Sequence, residues 1–342
     1  MPGSEQEDNP AKPDKIITHD DFDGVVSAAL CSLAEGIDRF RFTGPGAILD
    51  SGLGIDENSI VCDLPHHPAA RLWFDHHVGN LEDYCLKGGD PQQIKGAFAE
   101  EKSCARVVYN YYISKKVIFP EYIAGTVKEA DIIDSFDYKD INDWQKQTPG
   151  KLISETLRIF FRTRRERSGY MAYLIRKVRE MPLQDLLKDG QVLEKIEIYR
   201  EVEQKNFTLM EKLCAFLSED GEHEIIVIDT TGLRHAVNLI KSLAFVLYPE
   251  AKAVLEIRSL FQKNRKTNDI AFSMSLSPEM EVGSSAKDVG EIMRSLNMGD
   301  GHRGAGAGRI SCKSKAEMLK QKSQIINEIV DIWKAQGPAS NC

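Results

Sequence analysis

Short apolar runs that stop abruptly at an acid or a histidine set the terms for the first 80 residues. The segment ITHDDFDGVVSAAL (17–30) places His19, Asp21 and Asp23 between a strand-like run and a helix-like run of small residues. Runs at 15–18, 39–43, 59–64 and 71–74 read as strands, and patterns at 24–33, 104–114 and 122–133 read as helices. That alternation implies a mostly parallel sheet with helices on its faces, whose ligands collect at the carboxyl ends of strands. The acids of the first segment, then Asp63, then Asp75, His76 and His77 all fall at such ends.

Alternate residues of an extended segment share a face, so His19, Asp21 and Asp23 point the same way. One imidazole and two carboxylates are hard donors that suit Mn²⁺ or Mg²⁺. A helix N-cap at Asp23 is the plainer reading of the segment taken alone. Five of the eight histidines lie between positions 19 and 77, each at or just after a strand's end, which favours a shared site. The acidic helix end KEADIIDS adds Asp131 and Asp134.

A chain of 342 residues is long for one core, so two domains are expected. The stretch from 140 to 218 is helical and charge-rich, and a second alternating unit begins near 224. Arginines at 162, 164, 165 and 167 read as a solvated helix face or as a basic wall over an anionic substrate. The fold class is α/β, with two α/β domains. A mostly parallel sheet flanked by helices is joined through a helical linker to a smaller mixed-sheet domain. The expected boundaries are a disordered leader at 1–13, a metal-binding domain at 14–145, the linker at 146–220 and a substrate-binding domain at 221–342. Seven scattered cysteines without a Cys-x-x-Cys pair argue for a reducing cytoplasm. No run of about 18 apolar residues occurs, so no membrane span is expected. The net charge of −8 disfavours sequence-blind grip on long duplex nucleic acid but leaves room for a short anionic ligand.

The motifs together resemble the DHH phosphoesterase superfamily over essentially the whole chain. THDDFDG is similar to its first motif, Asp63 of CDLP to the second, FDHH to the third and KEADIIDS to the fourth. GDGHRGAGAG (299–308) resembles the GGGHxxAGG signature of the accessory domain called DHHA1. The resemblance implies two metal ions, usually Mn²⁺ with Mg²⁺ as the other choice, held by His19, Asp21, Asp23, Asp63, His76 and Asp131, with Asp63 bridging. Asp131 is preferred to Asp134 by its place after the helix's small residue. His77 is implied to contact substrate phosphate and Asp75 to orient the imidazoles. Gly301, His302, Arg303, Gly304 and Gly306 are implied to bind substrate. The family's S-x-R-S arginine is missing from FSMSLSP, and Asp300 stands inside the glycine signature.

Three activities fit the pattern. The leading one is a metal-dependent phosphodiesterase that cuts short oligonucleotides or small linear dinucleotides to 5′-mononucleotides. The alternative is an exopolyphosphatase or 3′,5′-bisphosphonucleotide phosphatase with the same metal site, and the third is a non-catalytic nucleotide sensor. The implied partner is a short nucleic acid or nucleotide substrate and no membrane; a homodimer is left open.

Overall fold

A computed structural model describes residues 12–48, 51–217, 220–263, 265–282 and 286–337. The leader expected at 1–13 lies almost wholly outside the described residues. The chain divides into two compact units, residues 1–137 with 147–199 and residues 138–146 with 200–342.

The first unit is built on β1 (Lys15–His19), α1 (Phe22–Glu35), β2 (Phe40–Thr43), β3 (Ser59–Cys62), β4 (Leu72–Asp75), α2 (Val78–Leu86) and β5 (Gly96–Phe98). Its five strands run parallel in the order β2-β1-β3-β4-β5. In this order the chain leaves β1 to one side for β2 and returns to the other side for β3. The crevice at the carboxyl ends of β1 and β3 is therefore the switch point at which doubly wound sheets bind ligands. α3 (Cys104–Ser114) and α4 (Ile123–Asp134) follow. α5 (Ile141–Gln145) belongs to the second unit, and α6 (Pro149–Thr156), α7 (Arg164–Glu180) and α8 (Leu183–Leu186) to the first.

Burial explains these elements. α1 is buried continuously from Phe22 to Ser32, and α3, α4 and α7 pack against it. That position suits its run of Val, Ala, Gly and Ser, which lets neighbouring helices approach. A side chain at Gly24 would bring its Cβ to 2.2 Å from the carbonyl oxygen of His19, so only glycine fits where the helix leaves the strand. Trp73 and Phe74 are 2% and 0% exposed. Fully burying an aromatic side chain of this kind contributes about 1.5–3 kcal/mol.

α9 (Gly190–Leu213) contains the division between the units. The second unit continues with β6 (Cys214–Phe216), β7 (Ile225–Asp229), α10 (Leu243–Leu247), β8 (Ala253–Gln262), β9 (Arg265–Leu276), α11 (Pro278–Val282), α12 (Val289–Ser295), β10 (Gly299–His302), β11 (Ala305–Ile310) and α13 (Lys315–Ala335). Its sheet is mixed, in the order β10-β11-β9-β8-β7-β6, with only β7 and β8 parallel. Leu255, Ile257, Phe272 and Met274 form a core with Ile329 and Trp333 of α13.

Two local expectations change. The apolar periodicity over 233–247 predicts one helix, yet only Leu243–Leu247 is helical. Side chains serve the backbone ahead of it: Asn206 accepts from the Ile240 amide at 3.1 Å, and Lys266 donates to the Leu233 carbonyl at 2.9 Å. The glycine-rich stretch is not a loop but the hairpin β10–β11. Side chains at Gly299 and Gly301 would stand 1.9 and 2.3 Å from carbonyl oxygens of the facing strand. Among the described residues, no helix is long and apolar enough to cross a membrane.

Candidate metal centre

The ends of β1, β3 and β4 deliver their polar residues to one place. Asp63 follows the last residue of β3 and takes φ +57°, a left-handed conformation that costs a non-glycine residue free energy and marks functional sites. Its side chain becomes the hub. Oδ2 lies 3.4 Å from His19 Nδ1, while Oδ1 lies 3.7 Å from both His76 Nε2 and His77 Nδ1. On the β1 side, Asp21 Oδ2 is 2.7 Å from His19 Nδ1. On the far side, His76 Nε2 is 3.3 Å from Asp134 Oδ2 and 3.9 Å from Asp23 Oδ2.

Each ligand-type residue is held by a neighbour. Asp21, not Asp23, is the N-cap of α1, accepting from the Gly24 amide at 2.9 Å. The Asp23 carboxylate accepts from the Cys104 and Ala105 amides at 2.7 and 2.8 Å, at the start of α3. The fully buried Asp75 accepts from the His76 amide at 2.8 Å, His77 Nδ1 at 2.9 Å and Asn80 Nδ2 at 2.6 Å. Asn80 and the Glu101 carbonyl have no recognisable sequence signal.

The two acids of the fourth motif face different neighbours. Asp131, the acid expected in the cluster, accepts from Ser103 Oγ at 2.7 Å and from Arg106 Nε and Nη2 at 3.0 and 2.5 Å. A helix turns by about 100° per residue, so the acid three positions later faces the neighbouring direction, and it is Asp134 that reaches His76. Arg167 was also ambiguous in the sequence. Its guanidinium grips Asp20, binding the carboxylate through Nη1 and the main-chain carbonyl through Nη2 at 2.7 Å. His66 packs edge-on against Trp73 and Tyr84.

The donor set fits metal ions, and the reason lies in unsatisfied atoms. Both carboxylate oxygens of Asp63 and Nε2 of His76 are buried without a hydrogen-bond partner. His76 Nδ1 lies 3.0 Å from the Glu101 carbonyl oxygen, which can only accept. The ring proton is therefore on Nδ1, and Nε2 turns a lone pair towards three carboxylates. Lone pairs converging on lone pairs in a buried place repel unless a cation stands between them. Three groups have ligand atoms within 4.8 Å of one another: His19-Asp21-Asp63, Asp23-His76-Asp134, and Asp63-Asp75-His76-His77.

Without a cation the site must collect protons. Burial, then the charges of Asp134 and Asp21, push the Asp23 carboxyl up to about 8. Burial, then Asp21, push Asp134 up to about 7, and burial with Asp23 raises Asp63 well above the usual carboxylate range. Burial opposes the charging of His19, but the neighbouring carboxylates of Asp21 and Asp63 prevail and raise it to about 11.

Gly301, Arg303, Gly304 and Gly306 lie on the β10–β11 hairpin of the second unit. The His302 side chain lies outside the described residues. Arg303 is exposed, with Nε 3.3 Å from the Lys287 carbonyl oxygen.

The parallel sheet with its switch-point cluster and the second mixed sheet share their fold with several solved structures. The chain is similar to the pGpG-specific phosphodiesterase PggH from Vibrio cholerae, with TM-score 0.70 and 23% identity over 95% of this chain and 100% of that one. It is similar to RecJ from Thermus thermophilus in complex with Mn²⁺, with TM-score 0.53 and 12% identity over 95% of this chain and 52% of that one. The DHH domain of a protein described as a member of a ribosomal-protein family gives TM-score 0.51 and 13% identity over 92% of this chain and 87% of that one. No protein-family model matches the sequence, and no curated protein matches it.

Proposed function

We propose that this chain is a metal-dependent phosphodiesterase that hydrolyses short oligonucleotides or small linear dinucleotides to 5′-mononucleotides. The observation that carries the reading is the set of buried, unpartnered atoms on Asp63 and His76 facing one another across the switch point. Likeness to a protein described as a pGpG-specific phosphodiesterase supports the dinucleotide substrate. The net charge of −8 supports short substrates over long ones.

His19, Asp21 and Asp63 would hold one divalent ion, and Asp23, His76 and Asp134 a second, with Asp63 contributing to both. When bound, such a pair supplies Lewis-acid polarisation of phosphoryl oxygens and an activated water, and Mn²⁺ is the ion we propose. The protein's own groups do the rest. Asp75 fixes the His77 ring, and its hydrogen bond raises the His77 pKa against the opposing effect of burial. His77 is half exposed at the rim, where we place its contact with a phosphate oxygen. The Glu101 carbonyl keeps the His76 proton on Nδ1, and the amides of Cys104 and Ala105 hold Asp23 in register. Gly301, His302, Arg303, Gly304 and Gly306 are proposed substrate contacts on the strength of their motif.

The test is product analysis with Mn²⁺ and a panel of linear dinucleotide, 5-mer RNA, polyphosphate and 3′,5′-bisphosphonucleotide. Mononucleotides from the first two are expected. Orthophosphate released from the last two alone would overturn the phosphodiesterase reading in favour of the phosphatase.

A further inference from the structure

At the end of β1 and β2 opposite the metal cluster, the first unit carries a basic surface that none of the motifs uses. Lys15 opens β1 and His19 closes it, so about 13 Å of strand separates this surface from the cluster. Lys15, Arg39, Arg41 and Arg176 line a hollow of about 270 Å³ there, against one lining carboxylate, Asp38. Lys15, Arg39 and Arg176 engage Asp56, Asp14 and Asp38 respectively. Arg41 is exposed and has no acid partner among the described residues. With Arg179, which shares Asp38, five cations meet three carboxylates, a local positive excess in a chain whose net charge is −8.

The same surface is an open sheet edge. β2 is the end strand of its sheet and pairs on one side only, with β1. The Ile16 N–H donates to the Arg39 carbonyl at 2.8 Å, and Ile16 stands level with Phe40. The N–H and C=O of a strand residue leave on one side and successive residues alternate, so Arg39 and Arg41 turn their backbone to β1. Phe40 and Phe42 turn theirs outwards, where no hydrogen-bond partner meets them among the described residues. Such an edge is a template for a further strand. Cations on it repel a like-charged strand and by the same Coulomb force attract an acidic one.

Two features select the class of ligand. The positive excess selects an anion. The outward carbonyl oxygens of Phe40 and Phe42 select one that also brings N–H donors at strand spacing, which a phosphate lacks and a peptide supplies. Phe40 and Ala172 add an apolar wall to the hollow, which suits side chains that alternate between acidic and apolar.

We propose that β2 is a docking edge for an acidic, extended segment of a partner protein, which adds to the sheet beside Phe40 and Phe42 and places a carboxylate on Arg41. This surface goes beyond the phosphodiesterase reading and does not depend on it.

The experiment measures binding of a fluorescently labelled peptide of alternating Glu and Val to the full chain. Two further forms of the peptide carry N-methyl groups, one on its Glu nitrogens and the other on its Val nitrogens. They keep the charge, but strand addition tolerates methyl groups only on the nitrogens that face away from β2. The parent peptide is expected to bind, and the two methylated forms to differ in Kd by about tenfold or more. Arg41→Glu is expected to weaken the parent peptide by about tenfold or more, the scale of one charge-assisted contact. No binding of the parent peptide to wild type overturns the proposal, as do equal Kd values for the two methylated forms. An unchanged Kd in Arg41→Glu overturns it too. Single-stranded DNA of equal charge that binds wild type more tightly than the peptide overturns it in favour of a nucleic-acid surface. If Arg41→Glu melts below wild type, the comparison of methylated forms on wild type decides alone.

Discussion

His76 Nε2 stands 3.7 Å from Asp63 Oδ1 with both atoms buried and neither hydrogen-bonded. The His76 proton is spent on the Glu101 carbonyl, so two lone pairs confront each other in a place water does not serve. Such an arrangement costs free energy that a bound cation relieves, or protons where there is none.

Asp63→Asn therefore lowers metal-dependent turnover by about a hundred- to a thousandfold, the scale set for loss of one central electrostatic group. Asparagine tolerates the left-handed backbone of this position, so the fold survives. The metal-free variant melts no lower than wild type, because a buried, repelled carboxylate is gone. Mn²⁺-dependent activity beside thermal melting without metal checks both halves. A variant that keeps its turnover contradicts the hub assignment.

Asp134 and Asp131 part ways. Asp134→Asn weakens Mn²⁺ binding by about 10- to 100-fold, the range seen when metal sites lose a supporting group. Asp131→Asn strips a buried partner from Arg106 and Ser103 and costs about 1–3 kcal/mol of stability. Metal titration and denaturant melts on the two variants separate these roles. The reverse pattern would return the ligand role to Asp131.

The metal-free protein loses stability as pH rises. Asp23 and Asp134, raised to about 8 and about 7, hold protons in the folded state that the unfolded chain has released above about pH 4. His19, raised to about 11, likewise keeps its proton in the folded state above the unfolded value near 6.5. The native state therefore binds more protons than the unfolded one, and unfolding free energy falls with pH across about 4 to 8. Saturating Mn²⁺ displaces those protons and reverses the trend, so its stabilisation grows with pH. Melting wild type and Asp23→Asn from about pH 5.5 to 8.5 tests this linkage. The wild-type curve should fall more steeply, and parallel curves would contradict it.

Arg167 and Asp20 form a clamp between α7 and the turn that carries Asp21 and Asp23. A partly buried, two-point contact of this kind is worth about 1 kcal/mol. Arg167→Ala and Asp20→Asn should each weaken Mn²⁺ binding a few-fold, with no further loss in the double variant. Full additivity would show that the pair does not act as a unit.

Much of this arrangement is legible along the chain because strand ends advertise themselves. The apolar runs before His19, Asp63 and Asp75 fix the parallel sheet, and its geometry brings their ends together. What escapes is set by tertiary contact. Nothing local tells Asp131 that Arg106, 25 residues earlier, will claim it. Nor does the glycine spacing of 299–308 reveal that the backbone is pressed against a facing strand. The apolar period of 233–247 cannot foresee that Asn206 and Lys266 take over the backbone groups a helix would have paired.

The central claim is most directly tested by anomalous diffraction from crystals grown with Mn²⁺. Two peaks are expected inside the cluster, flanking the Asp63 carboxylate, with His19 and Asp21 at one and Asp23, His76 and Asp134 at the other. A map with saturating Mn²⁺ and no peak at Asp63 would contradict it.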